Sequence, residues 1–121
     1  MTTAQVSGYG KVLATAKGTP LYLFTGDPSG GSKCVGACAK QWEPLTVSGK
    51  PTAGSGVNAA MLSTFKRSDG HTQVLYNGHA LYTHASAASA ASVAGTASDG
   101  GIWYLVSPAG KPITHTNSGG Y

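Results

Sequence analysis

The chain has 121 residues, enough for one domain with a real core and too few for two. Charged residues make up only 10% of it, against about 25% in ordinary globular proteins, and 18 residues are glycine, a balance that favours an exported, turn-rich β-protein over a cytosolic enzyme. The net charge of +4 comes from scattered lysines and one arginine, Arg67, which argues against a nucleic-acid surface, and no apolar run approaches the roughly 18 residues of a membrane helix.

Met1-Thr-Thr-Ala-Gln lacks the basic and apolar regions of a signal peptide, leaving either a cytosolic protein or an exported one whose leader has been removed. Lys11–Thr15 and Leu21–Thr25 read as short strands around a Lys17-Gly18 turn. Gly26-Asp-Pro-Ser-Gly-Gly31 lacks the Lys-Ser/Thr ending of a phosphate loop and reads as turns.

Cys34 and Cys38 flank Gly36. A small structural disulfide is the expectation, and it favours an oxidising compartment; half of a metal site and a redox pair are the alternatives. Residues 48–57, rich in Gly, Pro, Ser and Thr, read as a connection.

Beyond it, Leu62–Arg67, Thr72–Tyr76 and Ala80–His84 form a predicted meander broken at Ser68-Asp69-Gly70 and Asn77-Gly78. Asn-Gly between two β-prone runs is a strong signal for a two-residue type I′ hairpin. In that register, residues whose numbers sum to 155 face one another, so His71 lies opposite His84 with Tyr82 beside it. Such a cross-strand pair would begin a Cu or Zn site, with surface histidines as the plainer alternative. The Ala/Ser tract 85–97 reads as a loop with one helical turn at most, Ile102–Val106 as a further strand, and 114–121 as a tail.

An internal repeat organises these elements. Gly18-Thr-Pro-Leu21-Tyr22-Leu-Phe24 recurs as Gly78-His-Ala-Leu81-Tyr82-Thr-His84, each copy with a Val-Leu pair upstream (Val12-Leu13, Val74-Leu75) and a tryptophan downstream (Trp42, Trp103). The expectation is one compact, antiparallel, all-β or β-dominated domain over 1–121, with at most short helical turns. It is built from two related units of about 35 residues, the first over about 10–47 and the second over about 61–113. Trp42 and Trp103, at equivalent places, read as core, with ligand stacking the alternative.

Catalytic groupings are missing from the pattern. Asp69 and Asp99 sit in Ser-Asp-Gly turns, where the carboxylate has a local backbone role, and nothing in the sequence places Asp27 and Glu43 together. No nucleophile elbow or Ser-x-x-Lys context occurs.

Tyr22-Leu-Phe24-Thr-Gly-Asp27 resembles the Tyr-x-aromatic-x-x-Asp signature of the bacterial secreted-repeat lipoproteins, a family of unknown function. The similarity extends through Ser32-Lys-Cys34-Val-Gly36-Ala-Cys38 and Trp42-Glu-Pro44-Leu45. It continues through Arg67-Ser-Asp69-Gly70, Tyr76-Asn-Gly78, Leu81-Tyr82 and Gly101-Ile-Trp103-Tyr104. In the second unit the aromatic and Asp positions are His84 and Ala87, so whatever Phe24 and Asp27 do is not duplicated there. The resemblance implies export and often a lipid anchor on the precursor, and supplies no substrate. The resulting reading is an extracytoplasmic, secreted or envelope-attached, non-catalytic binding module for an envelope component or small ligand, with no cofactor expected. A metal- or haem-associated protein using the histidine pair and a redox protein using the cysteines are the alternatives.

Overall fold

A computed structural model describes residues 1–6, 9–84, 96–98 and 101–113. In chain order the strands are β1 (Thr2–Val6), β2 (Gly10–Ala14), β3 (Tyr22–Phe24), β4 (Trp42–Pro44), β5 (Leu62–Lys66), β6 (Thr72–Tyr76), β7 (His79–Ala80), β8 (Tyr82–His84), β9 (Thr96–Ser98) and β10 (Gly101–Leu105). Helical structure among the described residues is one short α-helix, α1 (Ala37–Gln41), and one 3₁₀ turn, Ala59–Met61. The β-dominated, antiparallel fold expected from the sequence is present. Most of the Ala/Ser tract and the tail from residue 114 lie outside the described residues, and β9 takes up the tract's last residues. Strand β1 was not foreseen; it pairs with β2 from Thr2↔Ala14 to Val6↔Gly10.

The Asn77-Gly78 turn sets the register as its chemistry requires. Asn77 (φ 53°) and Gly78 (φ 81°) both adopt the positive φ of a type I′ turn, and Tyr76↔His79 and Leu75↔Ala80 follow. The Leu81 N–H still donates to Val74 O (3.1 Å), but there the two arms part. The segment Trp42–Val47 runs between them. Its β4 residues pair with β8 (Trp42↔His84, Glu43↔Thr83, Pro44↔Tyr82), and the Leu45 N–H donates to Leu81 O (2.9 Å). On the other side the Val74 N–H donates to Leu45 O (2.8 Å) and the Val47 N–H to Thr72 O (3.0 Å).

The first half repeats this arrangement with the roles exchanged. The Leu21 N–H donates to Leu13 O (2.9 Å), and β10 runs along β3 as Trp103↔Phe24, Tyr104↔Leu23 and Leu105↔Tyr22. The Leu13 N–H donates to Val106 O (2.8 Å). Contacts in one half thus recur in the other at an offset of 60 or 61 residues, compatible with two related units that each donate a strand into the other's hairpin. The halves meet where β3 pairs with β8 at Tyr22↔Tyr82, inside the sheet β4-β8-β3-β10-β9.

Two indoles fill the centre of this junction. Trp42 and Trp103 stack with ring centroids 4.1 Å apart and planes 2° from parallel. Tyr22 meets Trp42 edge-on, Tyr82 meets Trp103 edge-on, and Phe24 stacks on the outer face of Trp103 (4.3 Å). His84, at the place equivalent to Phe24, packs edge-on to Trp42 (4.5 Å). Gly26 and Gly101 leave room for the Phe24 ring: a Cβ on either would lie within about 2.7 Å of it. A second apolar cluster, with Leu13, Leu21, Leu23, Val74, Tyr76, Leu81 and Val106, completes the core.

Candidate functional site

Polar chemistry concentrates on one side of this junction, around Asp27. The chain turns after β3, with the Asp27 N–H donating to Phe24 O (3.1 Å), and the carboxylate faces the second half. Its Oδ1 accepts the Lys33 N–H (2.7 Å) and its Oδ2 accepts the Tyr82 hydroxyl (2.6 Å). The turn amide that Asp27 holds is therefore Lys33, just beyond the Ser29–Ser32 loop where an Asx-type arrangement would fall, and its second partner is nearly a full repeat away in sequence.

Tyr82 continues the chain of bonds to Ser32, whose Oγ is hydrogen-bonded to the Tyr82 hydroxyl. Ser32 Oγ also accepts the Cys34 N–H (3.2 Å) and Arg67 Nη1 (3.1 Å). With its lone pairs so used and the Tyr82 proton directed at Asp27, the Ser32 proton points to Tyr82. A one-way line results, Arg67 to Ser32 to Tyr82 to Asp27, in which each bond polarises the next.

Arg67 is 4% exposed, unusual for a guanidinium, and every nitrogen is engaged. Besides Ser32, it donates to Gln73 Oε1 (2.8 Å), Cys34 O (2.7 Å) and Asp69 Oδ2 (3.0 Å). Fully buried Gln73 uses its amide group on Leu81 O (2.8 Å), at the point where the hairpin arms separate. The equivalent of Gln73 in the first half is Val12, and that of Arg67 is Val6. The same space is thus packed with apolar side chains in one half and polar ones in the other.

Burial pushes the Asp27 carboxyl above its usual pKa, an effect only partly offset by Tyr82, the Lys33 amide, Arg67 and His79. The Tyr82 hydroxyl is raised well above the ordinary tyrosine range by burial and then by its bond to Asp27. Tyr22 is pushed up to about 12 by burial, with a smaller contribution from Tyr9. Asp69 is held below its usual value by the His71 N–H and then by Arg67.

Cys34 and Cys38 form a disulfide, with Cα atoms 5.1 Å apart. Cys34 is wholly buried and Cys38 nearly so, in the cluster that contains both tryptophans. The bridge holds the loop whose Cys34 carbonyl receives Arg67.

The facing histidine pair does not form. His84 pairs with Trp42 rather than His71, because Trp42–Val47 is inserted between the arms beyond Leu81. His71 is exposed, its N–H donating to Asp69 Oδ1 (3.0 Å), and Tyr82, the third candidate ligand, is spent on Asp27. Among the described residues no group of three or more His, Cys, Asp or Glu is placed to hold a metal ion. Trp42 (1% exposed) and Trp103 (0%) offer no face to a ligand and belong to the core.

Residues 3–46 match the model of a family described as a secreted repeat of unknown function. The matched segment runs from β1 through the signature Tyr22, Phe24 and Asp27, the disulfide and Trp42, to the strand inserted into the second half. No curated protein and no solved structure matches the chain. No helix among the described residues is long and apolar enough to cross a membrane. The geometry gives the signature a physical meaning: Tyr22 pairs with Tyr82, Phe24 stacks on Trp103, and Asp27 receives the Tyr82 hydroxyl. Each of its residues reaches into the other half.

Sequence reasoning missed Arg67 and Gln73. Gln73 lies in an otherwise apolar run, Val74-Leu75-Tyr76, where a polar side chain has to find a buried partner, and that was the available signal.

Proposed function

We propose that this protein is an exported, non-catalytic binding module of the cell envelope, in which the secreted-repeat signature builds the scaffold and does no chemistry on a substrate. The observation that carries this reading is the internal satisfaction of the polar network. The carboxylate of Asp27, the hydroxyls of Ser32 and Tyr82, the guanidinium of Arg67 and the amide of Gln73 are all directed at one another or at backbone groups, several of them across the junction. A general acid or base has to present its proton to a substrate, whereas these groups hold two halves together. Cys34–Cys38 fits the same role, pinning the loop that carries Ser32.

Native mass spectrometry of the protein recovered from its own envelope tests the reading, with Asp27→Asn run beside it. A non-covalent adduct on both proteins supports a binder whose polar network is structural. Hydrolysis of an ester, glycoside or peptide that disappears in Asp27→Asn would overturn it.

A further inference from the structure

The outer edges of the two halves differ in one respect that the repeat makes measurable. In antiparallel pairs, alternate residues direct their N–H and C=O groups away from the partner strand. In β1 the Val6 carbonyl bonds toward β2, accepting the Tyr9 N–H (2.9 Å), so Met1, Thr3 and Gln5 turn their backbone groups outward. A second segment of chain covers that edge. The Gly54 N–H donates to Met1 O (2.6 Å), the Met1 amino group donates to Thr52 O (2.8 Å), and Thr3 Oγ1 donates to Ser55 O (3.4 Å).

Strand β5 is the counterpart of β1 at an offset of 61. The Arg67 N–H donates to His71 O (2.8 Å), and Met61 O accepts the Asn77 N–H (3.0 Å). Leu62, Thr64 and Lys66 therefore turn their backbone groups away from β6, as Met1, Thr3 and Gln5 do in β1. Among the described residues β5 has β6 as its one strand neighbour. Beside its open side runs a groove of about 490 Å³ lined by Lys50, Pro51, Ala59, Leu62, Ser63 and Thr64. Leu62 and Thr64 are the equivalents of the two residues that hold the covering segment on β1.

We propose that this edge of β5 binds a glycine-containing peptide segment of a partner polypeptide through its outward backbone groups, in the way that residues 52–55 bond to Met1 and Thr3 on β1. Backbone pairing supplies the attraction in strand addition and side-chain room supplies the selection. The covering segment shows what that selection is. A Cβ at Gly54 would clash with Met1 O, so a segment that follows the same path needs glycine at that point. Lys50 on the groove wall disfavours a basic segment. This site deepens the binding-module reading and rests on it, and it names the partner class as a small-residue, glycine-containing peptide.

The test uses the full chain, labelled with ¹⁵N, and a synthetic peptide Thr-Ala-Gly-Ser-Gly-Val, the sequence of residues 52–57. Amide shifts should concentrate on Leu62–Lys66 and saturate with peptide. They should vanish in Thr64→Pro, which removes an outward donor at an edge position where proline is tolerated. They should also vanish with a peptide N-methylated at its first glycine, a control that leaves the protein unchanged. Shifts spread over the surface, shifts that survive N-methylation, or none at all would overturn the proposal. So would binding confined to a chain ended at Ile113, since the edge would then be taken by the chain's own last residues. The envelope adduct in the native mass spectrum is read separately, so loss of this site leaves the binding-module reading standing.

Discussion

Removing the Asp27 carboxylate should destabilise the fold through Tyr82. In Asp27→Ala the exposed Lys33 N–H turns to water at little cost, but the buried Tyr82 hydroxyl loses its acceptor. An orphaned buried donor costs about 1–3 kcal/mol. Burial raises the Asp27 pKa, so relief from desolvating a carboxylate offsets part of that loss, leaving about 1–2 kcal/mol. Tyr82→Phe removes the same bond from its other end. Urea unfolding of both single variants and the double variant measures the coupling, provided the denaturant slope stays constant across the series. The expected coupling is about 1 kcal/mol, because the second change has no bond left to break. Additivity within about 0.3 kcal/mol would refute a direct Asp27–Tyr82 bond. Full stability of Asp27→Ala with loss of an envelope adduct would make Asp27 a ligand-binding residue.

Reduction of the intact protein should add the mass of two hydrogens, and Cys38→Ala should still fold, at a cost of about 2 kcal/mol for a five-residue loop. Failure of that variant to fold would show that the bridge does more than pin a loop. Gly101→Ala should lose about 1–3 kcal/mol by overpacking, since its Cβ would sit 2.6 Å from both the Phe24 ring and Gly26 N, and wild-type melting behaviour would contradict that packing. Asp27 also leaves a pH signature. Its native pKa is raised, so the native state binds the proton more readily than the unfolded chain, and its contribution to stability falls as pH rises from about 3.8 through the native value and is level above it. Asp69 acts in the opposite sense: its contribution is present above 3.8 and lost as pH falls through its lowered native pKa. Unfolding measured against pH should show the Asp27 slope in wild type and not in Asp27→Asn, and identical profiles would contradict the assignment.

What the sequence made legible was local. Asn77-Gly78 fixes a hairpin through two backbone angles, and the sum-of-155 register holds through Leu81. The Cys34–Cys38 bridge and the buried tryptophans were legible for similar reasons, since short spacing and side-chain size carry their own signal. The insertion of Trp42–Val47 between the hairpin arms was not. Pairing between strands some 30 residues apart leaves no periodic trace, so the histidine pair was placed by extending a local register past the point where it ends. Strand β1 was overlooked, although Thr2–Val6 aligns with Ser63–Arg67 at the offset of 61. Arg67 looked like surface charge because arginine is seldom buried. Its burial depends on Ser32, Cys34, Asp69 and Gln73 converging from two halves of the chain, which only the fold brings about.

The central claim is that each half completes the other by donating a strand, with the Asp27–Tyr82 bond and the paired indoles across the join. Cutting the covalent connection tests it most directly. A protease site inserted between Ser48 and Gly49 lies outside every ladder described above, and the disulfide lies wholly within the first half, so no covalent link would survive cleavage. After digestion, native mass spectrometry should report one species with the mass of the uncut chain plus one water. It should retain the near-ultraviolet dichroism of the stacked tryptophans and separate only in denaturant. Halves that come apart in native buffer, each with its own folded spectrum, would contradict the account.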